Sequence, residues 1–219
     1  MIFVFPHCPV CESKVAEIDN ISRLFAYPTE PTFTNNARIT ILDSGAFGLS
    51  LIKQKMTIGY MQKLSKHYEK YHQNDVLCIA PDEFLNPDAS MFNFLRWHKL
   101  NLFSNVTPVI QAKQKGIVDI EDLYKQAEFY RKYSDTICFS NNGLTSDKAM
   151  CIHLDKLFDF LKSLDFKWVH VLGAGWDTED ILGWSQFDGI SSIDTIAYYS
   201  NKTESQILER IEEIRCLKL

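Results

Sequence analysis

The chain has 219 residues, 46% of them apolar, and a formal net charge of −5. That length bounds one large domain or two small ones, and the apolar share is ordinary for a globular protein with a sizeable core. The charge excludes a generally basic protein that coats nucleic acid, and no run of about 18 apolar residues is present to predict a membrane span.

The first strand-like run is Ile2–Phe5. Together with Met1 and Pro6 it is too short for a signal peptide and lacks a basic start, so a cytoplasmic location is expected. There the six cysteines, at 8, 11, 78, 138, 151 and 216, stay as reduced thiols. The run ends at His7 and Cys8, and Cys8-Pro9-Val10-Cys11 has the spacing of a zinc-binding pair. No second pair follows at similar spacing, so the expectation is two thiols at the end of a strand, with zinc on Cys8 and Cys11 as the alternative.

A second run, Leu24–Tyr27, leads into a loop over 28–37, and a third, Ile39–Leu42, ends in Asp43-Ser44-Gly45-Ala46-Phe47. Small residues after an acid at a strand tip let backbone approach a flat ligand. A helix over 50–71 carries Lys53, Lys55, Lys63, Lys66 and Lys70, read as a solvated face. Val76–Ala80 ends at Asp82-Glu83 before a helix over 88–101, and Val106–Ile110 ends at Gln111 before a helix over 119–133 that opens on Asp119. Thr136–Phe139 ends at Ser140-Asn141-Asn142-Gly143 before a helix over 147–164. Trp168–Leu172 ends at Gly173-Ala174-Gly175 before a helix over 177–185. Gly189–Ile193 ends at Asp194, and a helix over 203–215 follows. Cys78, Cys138, Trp97, Trp168 and Trp184 fall on core positions of these elements.

Strands alternating with helices predict parallel βαβ units, and eight of them predict a single (β/α)8 TIM barrel over residues 1–219. The open doubly wound sheet is the runner-up, but the Gly-rich phosphate loop it would need after the first strand is missing. In a barrel the active site lies at the C-terminal strand ends. Those ends carry acids, amides and glycines and few cations, which suits a neutral, hydrogen-bond-rich ligand such as a purine base better than a phosphate. Asp82 can accept from the amine and ring N–H of a guanine-like base, and Gln111 can both donate and accept. Asp43 and Asp194 are a carboxylate pair able to divide nucleophile and acid/base work at a sugar carbon. Each acid also has a plain reading as a cap or turn residue.

The ordered set Leu42-Asp43-Ser44-Gly45-Ala46-Phe47, Ala80-Pro81-Asp82, Pro108-Val109-Ile110-Gln111, Gly143-Leu144, Leu172-Gly173-Ala174-Gly175 and Gly189–Asp194 resembles the tRNA-guanine transglycosylase superfamily. It is more similar to the shorter relatives that act in 7-deazaguanine modification of DNA. The resemblance implies a base exchange. Asp194 would be the nucleophile, with Asp188 as a rival, and Asp43 the acid/base group. Asp82 and Gln111 would read the base. Ser44, Gly45, Phe47, Gly143, Leu144 and Gly173 would line its pocket. No organic cofactor is implied. The C-terminal zinc site and basic tail of the tRNA enzymes have no counterpart here, which favours DNA over tRNA and leaves room for a homodimer or a partner subunit. Ala46 stands where the tRNA enzymes have a second glycine. Two other readings share these residues: a 7-deazaguanine nucleoside or nucleotide hydrolase, and a silent barrel that binds a base for an active partner.

Overall fold

Parallel strands separated by helices run through the chain. The computed structural model describes residues 1–33, 36–73, 75–113, 119–141, 148–175, 178–195 and 199–217, with the side chains of 148–155 and 178–180 outside the description. The strands are β1 (Ile2–Pro6), β2 (Ser22–Ala26), β3 (Thr40–Asp43), β4 (Val76–Ile79), β5 (Val106–Thr107), β6 (Val109–Gln111), β7 (Thr136–Ser140), β8 (Trp168–Leu172) and β9 (Ser192–Asp194). The helices are α1 (Glu12–Ala16), α2 (Ala46–Leu51), α3 (Ile58–Tyr71), α4 (Pro87–Lys99), α5 (Ile120–Arg131), α6 (Lys148–Ser163), α7 (Thr178–Trp184) and α8 (Glu204–Cys216).

Among the described residues, nine strands belong to one sheet, in the order β5-β4-β3-β2-β1-β9-β8-β7-β6, and every pairing is parallel. The two ends of that order, β5 and β6, are separated only by Pro108. Proline has no N–H to give to a ladder, so the strand breaks there. The Pro108 carbonyl still accepts from the Cys138 N–H at 2.8 Å, and the Thr107 and Thr136 hydroxyls meet at 2.8 Å. The sheet is therefore nearly closed, an α/β arrangement compatible with a TIM-like barrel.

Side chains alternate across each strand. One face carries Phe3, Phe5, Phe25, Leu42, Cys78, Ile110, Phe139, Val171 and Ile193 into the main core with the helices. The other face carries Val4, Leu24, Ile41, Ile79, Val109 and Cys138 into a smaller cluster with Ile2, Leu77, Trp168 and Leu172. By the same alternation Asp43, Gln111, His170 and Asp194 fall on this inner face, at or near the C-terminal strand ends. Trp97 and Trp184 are fully enclosed in the main core, as expected.

Three element boundaries differ from the sequence reading. The helix expected over 50–71 is two helices. Lys53 adopts a left-handed φ of 54° after α2, and the Thr57 hydroxyl accepts from the Tyr60 N–H to start α3 afresh. The strand expected from Gly189 begins at Ser192, because Gly189 has a φ of 100° that no strand uses. Helix α1 was not expected, being only five residues long.

The helix-facing side of β2 holds a buried charge. Arg23 is fully enclosed, and its Nη2 donates to Glu12 Oε2 at 2.6 Å. Its Nε donates to the Phe5 carbonyl at 3.4 Å, and its guanidinium lies 5.0 Å from the Phe25 ring centroid. His7 Nδ1 is 2.9 Å from the same Glu12 oxygen. Arg23 Nη1 and Glu12 Oε1 find no partner among the described residues. Breaking such a pair leaves a charge stranded, at a cost of about 3–5 kcal/mol, whereas replacing both members with apolar side chains is often neutral or stabilising. Glu12→Leu alone is thus expected to destabilise the protein in urea unfolding, and Glu12→Leu with Arg23→Met to recover most of the loss. A double variant no more stable than the single one would contradict this account.

Candidate active site

Asp43 is the last residue of β3, and the chain turns at once into α2. The Gly45 N–H donates back to Asp43 Oδ2 at 3.2 Å. Gly45 has a φ of 77°, and a Cβ there would stand 2.6 Å from the Tyr27 carbonyl oxygen and 2.7 Å from the Tyr60 hydroxyl. The close approach that this glycine permits is therefore made by Tyr27 and Tyr60. Tyr60 also donates to the Ser44 carbonyl at 2.8 Å, which fixes the turn.

Ser44 is fully buried and joins two strand ends: its Oγ donates to Asp82 Oδ1 at 2.7 Å and accepts from the Ala46 N–H at 3.3 Å. Asp82 lies three residues past β4. The loop it begins is held by Gln111 at the end of β6. Gln111 Nε2 donates to the Glu83 carbonyl and to Ser90 Oγ, both at 2.9 Å, and its Oε1 accepts from the Leu85 N–H at 2.7 Å. Gln126 completes the clamp by pairing with both backbone groups of Gln111. The sequence assigns Gln111 to direct contact with a base. In the structure both of its amide protons are engaged within the protein, and the side chain holds the loop from Glu83 to Leu85.

Asp194 ends β9. Its Oδ1 accepts from the Gly173 N–H at 3.3 Å and lies 3.0 Å from His170 Nε2. His170 Nδ1 is 2.8 Å from Ser192 Oγ, which accepts from Trp168 Nε1 at 3.1 Å. Indole can only donate. One consistent assignment has Trp168 donating to Ser192, Ser192 to His170 Nδ1, and His170 Nε2–H to Asp194. His170 is fully buried and was not picked out from the sequence. The available signal was its inward position in Trp168-Val169-His170-Val171-Leu172, a polar residue on an otherwise apolar face.

The carboxylates share one electrostatic environment. Burial pushes Asp43 up to about 6, and the negative charge of Asp194 adds to the rise, while backbone donors at Gly45 and Ser44 and the nearby His170 oppose it. Asp82 is pushed up to about 7, first by burial and then by the charge of Asp43, against the Ser44 hydrogen bond. Asp188, by contrast, lies at the N-terminal end of β9. Its side chain is exposed and ion-paired with Lys162, whose hydrogen bond and charge hold it below the ordinary carboxylate value.

A cleft of about 220 Å³ opens beside Asp82, lined also by Ala46, Lys53, Lys55, Glu83 and Phe84. Phe47, half exposed, meets Phe84 edge to face with ring centroids 5.2 Å apart. A larger hollow of about 330 Å³, lined by Ser104, Asn105, Arg131 and Asp135 among others, lies at the N-terminal ends of β5 and β7, away from the acids. Gly143 and Leu144 lie outside the described residues. Gly173 has a φ of 66° and presents its N–H to Asp194. No helix of the described residues is long and apolar enough to cross a membrane. Comparison of the chain with protein-family models and with characterised proteins gives no match.

The raised carboxyl groups have a measurable consequence. An acid whose folded pKa lies above its unfolded value binds more protons in the folded state, so stability falls as pH rises through that interval. For Asp43 and Asp82 the interval runs from the ordinary 3.8 to about 6 and about 7. Asp82→Asn, which keeps an acceptor for Ser44, is expected to raise the melting temperature at about pH 8 and to lose that gain at about pH 4. In an NMR titration, Asp43→Asn should lower the Asp82 pKa by removing the neighbouring charge. A stability gain that does not change with pH, or an unmoved Asp82, would show that the two acids do not share the site.

Proposed function

We propose that this chain is a base-exchanging transglycosylase built on a (β/α)8 barrel, with β5 and β6 as one strand broken at Pro108. Its reaction replaces guanine by a 7-deazaguanine base in nucleic acid, with DNA ahead of tRNA. The observation that carries this reading is the trio of strand-tip carboxyls, Asp43, Asp82 and Asp194, in one electrostatic environment, with Asp43 and Asp82 raised toward neutrality. Groups that titrate near the working pH are the ones that exchange protons with a substrate.

In this mechanism the Asp194 carboxylate attacks the sugar C1′ as the bond to the guanine nitrogen breaks, leaving a covalent aspartyl-sugar ester. Asp43, in its protonated form, supplies the proton that the departing base takes up. The incoming 7-deazaguanine gives a proton back to Asp43, attacks C1′ and releases Asp194. Asp82 accepts from the donor edge of the base, Gln111 holds the Asp82–Leu85 loop in place, and the His170 N–H orients the Asp194 oxygen. In this reading the Phe47–Phe84 pair would offer the base an aromatic surface, and Lys53 and Lys55, which line the cleft beside Asp82, would meet a polymer phosphate.

Incubation with guanine-containing DNA or tRNA and a labelled 7-deazaguanine is expected to transfer the label and to yield a denaturation-stable adduct on this protein. Asp194→Asn should abolish the adduct, Asp43→Asn should slow turnover, and Asp188→Asn should leave both unchanged. If Asp188→Asn removes the adduct and Asp194→Asn does not, the nucleophile is misassigned. Release of free base into water, with no exchange, would favour the nucleoside hydrolase. Absence of adduct, exchange and hydrolysis with DNA, tRNA and free nucleosides would defeat the enzymatic reading.

A further inference from the structure

Cys8 and Cys11 close a four-residue turn between β1 and α1. The Cys11 N–H donates to the Cys8 carbonyl at 3.3 Å, and Cys11 Sγ meets Cys8 Sγ at 3.0 Å. Both residues are buried, while Val10 at the tip of the turn is 63% exposed. Two thiolates on a tetrahedral zinc, each about 2.3 Å from the metal, stand about 3.8 Å apart. The observed pair is closer than that. Among the described residues no group of three or more His, Cys, Asp or Glu side chains is arranged to hold a metal. A covalent disulfide needs about 2.05 Å between sulfurs, so the two thiols are within a small side-chain adjustment of bonding.

We propose that Cys8 and Cys11 are a reversible dithiol–disulfide couple at the C-terminal end of β1, oxidised by a low-molecular-weight disulfide of the glutathione class. One cysteine thiolate attacks the small disulfide and expels one thiolate, giving a mixed disulfide. The second cysteine then attacks the protein sulfur of that mixed disulfide and expels the other. The protein loses two protons and two electrons, and the small disulfide becomes two thiols.

The burial has a kinetic consequence. Desolvation, with the Cys8 thiol beside it, pushes the Cys11 thiol up to about 12, so its thiolate is scarce and the first step is slow. The second step occurs within one turn of chain between sulfurs already in contact, so the mixed disulfide does not accumulate. The couple is also near the candidate site. β1 pairs with β9 so that Val4 lies opposite Asp194, and the Tyr199 hydroxyl, raised by burial, feels both Cys8 and Asp194. The proposal itself does not depend on the transglycosylase reading.

The test is a redox titration of the full chain in anaerobic glutathione buffers. Samples are quenched in acid, unfolded, alkylated with N-ethylmaleimide and mapped by mass spectrometry. The expected result is joint loss of alkylation at Cys8 and Cys11, in a peptide lighter by two hydrogens and carrying no glutathione, while Cys78 and Cys138 stay alkylated. Reduction with dithiothreitol should restore both sites, and Cys8→Ser should eliminate the cross-linked species. Full alkylation of Cys8 and Cys11 at every glutathione ratio and after diamide would overturn the proposal. So would a stable glutathione adduct on either cysteine in the wild-type chain, or stoichiometric zinc that is lost in Cys8→Ser. The wild-type peptide map decides the matter even where the variant folds poorly.

Discussion

The site depends on a single short hydrogen bond, from Ser44 Oγ to Asp82 Oδ1 at 2.7 Å. It ties the end of β3 to the loop after β4, and so sets the separation of two carboxyl groups that would otherwise repel each other. Burial favours the neutral form of both acids, and a neighbouring charge adds to it, that of Asp194 for Asp43 and that of Asp43 for Asp82. The hydroxyl offsets part of that cost for Asp82, and the Gly45 and Ser44 N–H groups do the same for Asp43. The result is a pair poised near neutral pH. Without the Ser44 hydroxyl, Asp82 would lose the hydrogen bond that favours its charged form, and burial beside Asp43 would push it further up.

An arrangement of this kind opposes folding at neutral pH, so it needs a rigid frame. The parallel sheet supplies one. Its inner face is apolar from Ile2 to Leu172 and turns polar toward the C-terminal ends, while its outer face packs a continuous core against the helices. The Gln111–Gln126 clamp extends that rigidity into the loop region: two hydrogen bonds between the Gln126 amide and the Gln111 backbone fix the β6 tip, a third ties Gln126 to Asp122, and three through the Gln111 side chain fix the loop that begins at Asp82. Pro108 interrupts the sheet where β5 and β6 meet. Because its carbonyl is still used by β7, the break costs one ladder donor and leaves the curvature of the sheet intact.

The sequence carried most of this frame openly. Runs such as Ile39–Leu42 and Trp168–Leu172 are short, apolar and bounded by polar turns, and each became a strand within a residue or two. The polar tips were equally visible, since an acid that ends an apolar run is conspicuous. Three things were not legible. The split between α2 and α3 depends on a left-handed Lys53, a conformation that lysine does not advertise. The engagement of both Gln111 amide protons depends on Glu83, Leu85 and Ser90, which are distant in sequence and adjacent only after the sheet forms. His170 was hidden because a single polar residue in a five-residue strand changes its average hydropathy little, although it changes the chemistry of the inner face.

His170 sets the surroundings of Asp194 apart from those of the other two acids. Asp194 has an N–H donor on each side, from Gly173 and from His170. Asp43 and Asp82 take their donors from the turn instead, the Gly45 and Ser44 N–H groups for Asp43 and the Ser44 hydroxyl for Asp82. The difference follows from the strands on which each acid sits. β9 lies next to β8, whose inward histidine reaches across to it, whereas the inner face of β4, next to β3, offers only Leu77 and Ile79. The pairing order of the sheet thus gives Asp194 an imidazole partner from the neighbouring strand, while Asp43 and Asp82 are held by the turn that follows β3.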